Sequence, residues 1–163
     1  MVTRHYAQRD YPFIFTNGVQ ASYVEVDVET GFVKLLKHWA VEDCGRVINP
    51  KLVDEQIRGA IVQGIGGALF EECLYDDQGL MQNGSMADYL APMAGEMPDI
   101  EVAHIETPTR SSILGAKGAG EAGTAGAPAA VVNAINDALR PLHAQVWSQP
   151  VTPEKILKAL GHI

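Results

Sequence analysis

The chain has 163 residues, 47% hydrophobic and 20% charged, with a formal net charge of -8; that size and composition suit one globular domain with a single core. The acidic balance, with no cluster of Lys and Arg to offset it, disfavours a phosphate backbone or an anionic membrane as partner. No run reaches the roughly 18 to 20 apolar residues needed to cross a bilayer, the N-terminus lacks the apolar core of a secretory signal, and Cys44 and Cys73 are too few and too far apart for a zinc or iron–sulfur ligand set, all of which fits a reducing, cytoplasmic setting.

Residues 1–17 mix charge, aromatics and Pro12 without a period and read as an N-terminal arm or an edge strand. From Tyr23, Val24, Val26 and Val28 alternate with Glu25, Asp27 and Glu29, the period of a half-buried strand. Thr30-Gly31 breaks the alternation and Phe32 to Val41 resumes it, so the pair predicts a hairpin turning at Glu29-Thr30-Gly31. Asp43 to Pro50 reads as a loop.

Between Leu52 and Leu74, Val53, Ile57, Ile61, Ile65, Leu69 and Cys73 form a helical apolar stripe. Gly59, Gly64, Gly66 and Gly67 sit inside it, each costing a helix about 1 kcal/mol relative to Ala. Gln56, Ala60, Gln63 and Gly67 share one face. Two amides would therefore project beside a surface bare enough for another backbone, or a ligand, to approach closely.

Further on, MADYLA (86–91) and IEVAHIET (100–107) predict two strands around a Pro- and Gly-containing stretch, and RSSILGAKGAGEAGTAGA (110–127) reads as a long glycine loop. Pro128 suits the first turn of a helix whose apolar face holds Ala130, Val131, Ala134, Ile135, Ala138 and Leu139. His143 to Trp147 predicts a last strand, and Thr152, with Pro153 and Glu154 after it, caps a short final helix ending at Leu160. The order of elements favours an α+β fold.

Three readings of the glycine loop stand side by side. Gly118, Gly120 and Gly123 formally satisfy GxGxxG, the dinucleotide fingerprint, but Arg110 to Ser112 separate the loop from the preceding strand and the nearest acid, Asp137, falls too early for a ribose contact. The glycines could instead be purely structural, forming a lid or passing under the next helix. In the third reading Glu121, a carboxylate among small residues just before a helix N-terminus, is a candidate base, its pKa pushed up by burial and down by nearby amide donors.

The segments YVEVDVETGFV, VEDCGRVINPKLVDEQIRGAIVQGIGGALFEE, DYLAP and LGAKGAGEAGTAGAPAAVVNAINDAL, in that order, resemble the C-terminal part of the large, molybdopterin-binding subunit of the xanthine dehydrogenase, aldehyde oxidase and aerobic carbon monoxide dehydrogenase family, from about Tyr11 onward. The resemblance implies that residues 18–163 form the C-terminal portion of a molybdopterin-binding domain, with strands and two main helices. It implies Glu121 as general base of an oxidoreductase that hydroxylates an aldehyde or N-heterocycle with water as oxygen source. Lys117, Gly118, Ala119 and Gly120 would pass beside a molybdopterin-type molybdenum cofactor and Gln56 would hydrogen-bond it, with Gln63 a packing residue on the same helix face; no residue of the chain is implied as a metal ligand.

The resemblance also implies partners: the remaining part of the molybdenum subunit, an iron–sulfur subunit and, as an optional third, a flavin subunit. Each [2Fe-2S] cluster takes about four thiolates, so two cysteines cannot carry the clusters, and neither an iron–sulfur cluster nor FAD is expected on this chain. The loop that bears an active-site cysteine in carbon monoxide dehydrogenases is not in the sequence, so carbon monoxide is not implied as substrate. The expectation is a separately encoded or excised piece of a split subunit, inactive alone, rather than a remnant that no longer binds cofactor. The loop from Gly115 to Gly126 is expected to be mobile or irregular without its neighbour.

Overall fold

The computed structural model describes residues 2–5 and 13–163, so the middle of the expected N-terminal arm, and Tyr11, lie outside the described residues. The elements run β1 (Asn17–Val26), β2 (Val33–Asp43), α1 (Pro50–Leu69), β3 (Asp99–His104), α2 (Ala122–Leu139) and α3 (Pro153–Leu160). The sheet order is β1-β2-β3, with β1 antiparallel and β3 parallel to β2. The fold is α+β. Helices α1 and α2 lie against each other, and α2 covers the inner face of β1.

The hairpin forms as the alternation predicts, although β1 begins at Asn17 rather than near Tyr23. Its turn is closed by Gly31 N donating to Asp27 O at 2.8 Å, with Gly31 at φ 75°, where a side chain would be strained. A bulge between Tyr23 and Val24 leaves Leu36 unpaired, so the inward positions of β2 change from odd to even: Leu35 is buried, and then His38, Ala40 and Glu42.

Ile57, Ile61 and Ile65 are fully buried along α1, as the apolar stripe predicts, and meet Val131, Ile135 and Leu139 of α2 and Ile156 of α3 in one core. Asn49, whose side chain accepts from Leu52 N, caps α1 with Pro50 in its first turn. The helix stops at Leu69, short of the expected Leu74, where Phe70 N and Glu71 N both turn back onto Gly66 O at 2.9 and 2.8 Å. Cys73 is consequently exposed instead of on the stripe.

Three expectations are corrected. Met86–Ala91 is a turn and not a strand, because Asp88 N and Tyr89 N both fold back to Ser85 O. His143–Trp147 joins no sheet; Asn136 of α2 occupies the backbone of Val146 on both sides, accepting from its N–H at 2.9 Å and donating to its carbonyl at 3.1 Å. Helix α2 begins at Ala122, not Pro128, which lies inside it, so Ala122 to Gly126 of the loop expected to be irregular is helical.

Tertiary packing explains that early start. A Cβ on Gly123 would stand 2.5 Å from Ile57 O, so the backbones of α1 and α2 touch there, and the Thr124 hydroxyl donates to Ala60 O at 2.9 Å. Gly64 faces Ala127 and Pro128 in the same way. The close approach offsets the propensity cost of both glycines and of an internal proline, which are weak priors beside packing.

Candidate active site at the N-terminus of the second long helix

The loop before α2 is fixed at one end. Ala116 bridges Gly45, Lys117 N donates to Cys44 O at 2.7 Å, and the Lys117 ammonium lies 3.1 Å from Asp43 Oδ2, with 9% and 14% of the two side chains exposed. The two segments cross where Gly45, at φ 69°, would carry a Cβ only 2.3 Å from Gly115 O. The Thr107 hydroxyl, followed by the Gly45 and Thr107 amides and Lys117, holds Asp43 well below the usual carboxylate range. It is an ionised anchor at the end of β2.

Beyond that anchor the backbone is bare. A Cβ on Gly118 or Gly120 would meet no protein atom within 4 Å. Gln56 of α1 steadies the segment, its Nε2 donating to Gly120 O at 3.1 Å. Glu121 then takes the N-cap position of α2 at φ -113° and ψ 3°, and its side chain makes no capping bond. Capping ordinarily requires extended backbone that swings the side chain over the first helical amides; here the exposed carboxylate is left for something else.

Glu121, Gly118 and Gly120 line an open cavity of about 530 Å³, whose opposite wall is Thr16, Gly18 and Gln20 of the β1 side and Glu42 of β2. Two of those side chains belong to a buried polar chain. Gln20 Nε2 donates to Gly123 O and Glu42 Oε1, each at 3.0 Å, and more distantly to Ala122 O at 3.3 Å. Two backbone carbonyls can only accept, so the amide orientation is fixed and Gln20 Oε1 must accept from His38 Nε2, 3.1 Å away. His38 Nδ1 then accepts from the Ser22 hydroxyl at 2.8 Å. Burial pushes His38 down to about 4, which suits the neutral tautomer that this chain of donors demands. Burial pushes Glu42 up, partly opposed by the Gln20 amide and by His104.

The expected site residues thus divide. Gly118, Gly120 and Glu121 line the cavity, and Gln56 joins them through its bond to Gly120 O without lining it. Ala119 is half-buried beside them, Lys117 turns its ammonium to Asp43 and contributes anchorage, and Gln63 is exposed. Sequence reasoning missed Gln20 and Glu42. The available signal was a polar residue at an inward strand position, but the bulge shifts the parity of β2, and alternation alone misplaces it.

The arrangement offers main-chain amides at a helix N-terminus, whose first N–H groups lack intrahelical partners, a side-chain amide, a glycine surface with room before it, and an unspent carboxylate. These are the groups that hold an anionic, hydrogen-bonding organic cofactor and place a base beside it. A dinucleotide fingerprint instead requires a buried parallel strand running into the loop, and Ala116 makes only an isolated antiparallel bridge. Among the described residues no group of three or more His, Cys, Asp or Glu is placed to hold a metal ion, and no helix is long and apolar enough to cross a membrane.

Comparison with known proteins converges on one family. Residues 2–98 match the model of the molybdopterin cofactor-binding domain, a span that ends before the glycine loop. The chain is 49% identical over 146 residues to the nicotine 6-hydroxylase large subunit of Paenarthrobacter nicotinovorans, covering 90% of this chain and 18% of the relative. It is 35% identical over 134 residues to the carbon monoxide dehydrogenase large chain of Afipia carboxidovorans, covering 82% and 16%. Quinoline 2-oxidoreductase from Pseudomonas putida 86 superposes with a TM-score of 0.86 at 44% identity, over 90% of this chain and 19% of that one. The chain therefore spans less than a fifth of the length of these relatives.

Proposed function

The chain belongs to the molybdopterin cofactor-binding domain family, and from that premise we propose that it supplies the general base and one wall of the cofactor site of a molybdenum hydroxylase acting on an aldehyde or an N-heterocycle. In this reading residues 18–163 are the C-terminal portion of the domain, and the enzyme is completed by the remaining part of the molybdenum subunit with iron–sulfur and flavin partners. The observation that carries the proposal is Glu121, a helix N-cap residue whose carboxylate makes no cap and faces a glycine-walled cavity.

When bound, a molybdenum cofactor supplies the two-electron redox chemistry of hydroxylation with water as oxygen source. The chain's own contribution is positional and acid–base. Gly118 and Gly120 let the backbone approach the cofactor closely, and Gln56, besides holding Gly120 O, has an Oε1 with no partner among the described residues. Glu121 accepts the proton released as the oxygen–carbon bond forms. Lys117, locked to Asp43, keeps the loop in register with the end of β2.

Purification of the complex that contains this chain from its native source, with molybdenum and pterin measured per chain, tests the proposal. The expected result is stoichiometric molybdenum and pterin, and product oxygen drawn from isotope-labelled water. A complex without molybdenum, or hydroxylation by the isolated chain unaided, would contradict it.

A further inference from the structure

One cavity group is left without a role by the base and the glycine loop. Glu42 is 1% exposed, yet its carboxyl lines the same cavity as Glu121. It lies directly over its strand partner Gly18, where a Cβ would stand 2.1 Å from Oε2. Only a glycine leaves that space. Oε1 accepts from Gln20, while Oε2 has no partner among the described residues. Nor is Oε2 sealed in: among the described residues the only enclosed side-chain polar atom without a partner is His104 Nδ1. A buried carboxyl oxygen that ends a satisfied hydrogen-bond chain and opens onto a cavity is a group awaiting a ligand.

The direction of the chain says what kind. Ser22 donates to His38, His38 to Gln20, and Gln20 to Glu42 Oε1, so Oε1 is the committed acceptor and Oε2 is the oxygen left free to hold a proton toward the cavity. The ionisable groups around Glu42 are His38 on β2, held neutral, Cys44 on the same segment, His104 on β3 with Asp54 of α1 at 2.6 Å behind it, and Glu121 across the cavity. Asp43, next in sequence, is neutralised by Lys117. Among the described residues no Lys or Arg lines the cavity, so an anionic ligand is met there by hydrogen-bond donors.

We propose that Glu42 is a ligand-contacting residue of this cavity, its Oε2, when protonated, donating a hydrogen bond to an anionic oxygen of the bound molybdopterin-type cofactor, with Gln20 as the positioning residue that aims the carboxyl. The inference rests on the reading of the cavity as the cofactor site. Glu42→Gln places an amide N–H where Oε2–H stands, and retains the donor at every pH. Glu42→Leu removes the donor and keeps the bulk. Wild type, loaded with cofactor, has to release it more readily once Glu42 ionises beside an anion.

The test is molybdenum and pterin content of the assembled enzyme after dialysis over a rising pH series, together with its thermal melt. Wild type is expected to lose retention about tenfold toward high pH, the value of one hydrogen bond to a charged group, whereas Glu42→Gln stays flat. Glu42→Leu is expected to retain about tenfold less cofactor at low pH with an unchanged melt. Equal pH dependence in wild type and Glu42→Gln would overturn the proposal, even if Glu42→Leu failed to assemble, as would full retention by Glu42→Leu. Wild type purified without molybdenum would instead overturn the cofactor reading beneath it.

Discussion

Glu121 and His38 are the two titratable groups at opposite extremes of burial in the site. Glu121 is exposed at the cavity; His38 is wholly buried and held neutral. For a histidine of ordinary value about 6.5 unfolded and about 4 folded, the unfolded chain binds the extra proton between those limits. Stability from His38 is therefore complete above about pH 6.5, and about 3 kcal/mol of it is lost as the pH falls toward 4. Melting temperature should fall over that window, and His38→Gln should flatten the profile; an unchanged slope in the variant would place the acid sensitivity elsewhere. At this scale Glu121, Gln56 and the loop glycines could be named from sequence, because the family resemblance points to them one by one. Gln20 and Glu42 were not, since their meaning depends on a bulge that only the paired strands reveal.

Among the elements, α1 carries the most legible signal and the least legible ends. Its isoleucine stripe survives intact, but its stop depends on Gly66 accepting two amides, and the start of α2 depends on Gly123 resting on Ile57 O. These are tertiary facts, which propensity does not contain. They also sort the glycines that looked costly in sequence. Gly64 and Gly123 serve helix packing, while Gly59 and Gly67 face open space in the structure. Gly123→Ala is expected to cost about 1 to 3 kcal/mol by overpacking, and Gly67→Ala to gain up to about 1 kcal/mol of helix propensity. Thermal melts of the two variants would decide; equal shifts would mean that the helix contact is not what the glycines serve. The strands expected at Met86–Ala91 and His143–Trp147 failed for a related reason: short apolar runs carry no record of whether a sheet edge is free to receive them.

For the molecule as a whole, the sheet has helices on one face and, among the described residues, none on the other. That outer face carries Val19, Tyr23, Trp39 and Val41, all exposed, and Trp147 is 84% exposed elsewhere. Apolar exposure of this extent marks a surface that meets other protein, in keeping with relatives of whose length this chain spans less than a fifth. The isolated chain should accordingly bind an apolar dye strongly and lack hydroxylase activity, and dye binding should fall on assembly; a dye-silent isolated chain would count against a covered face. The α+β class and the single core followed from composition and periodicity. The packing of the outer face did not, because no periodic signal distinguishes a strand covered by another chain from one that faces water.

The central claim, that this chain provides the base of the reaction, is tested most directly by Glu121→Gln in the assembled enzyme, with turnover and molybdenum content measured on the same preparation. The account predicts a loss of about two to four decades in turnover with molybdenum per chain unchanged. Wild-type turnover at equal molybdenum would contradict it.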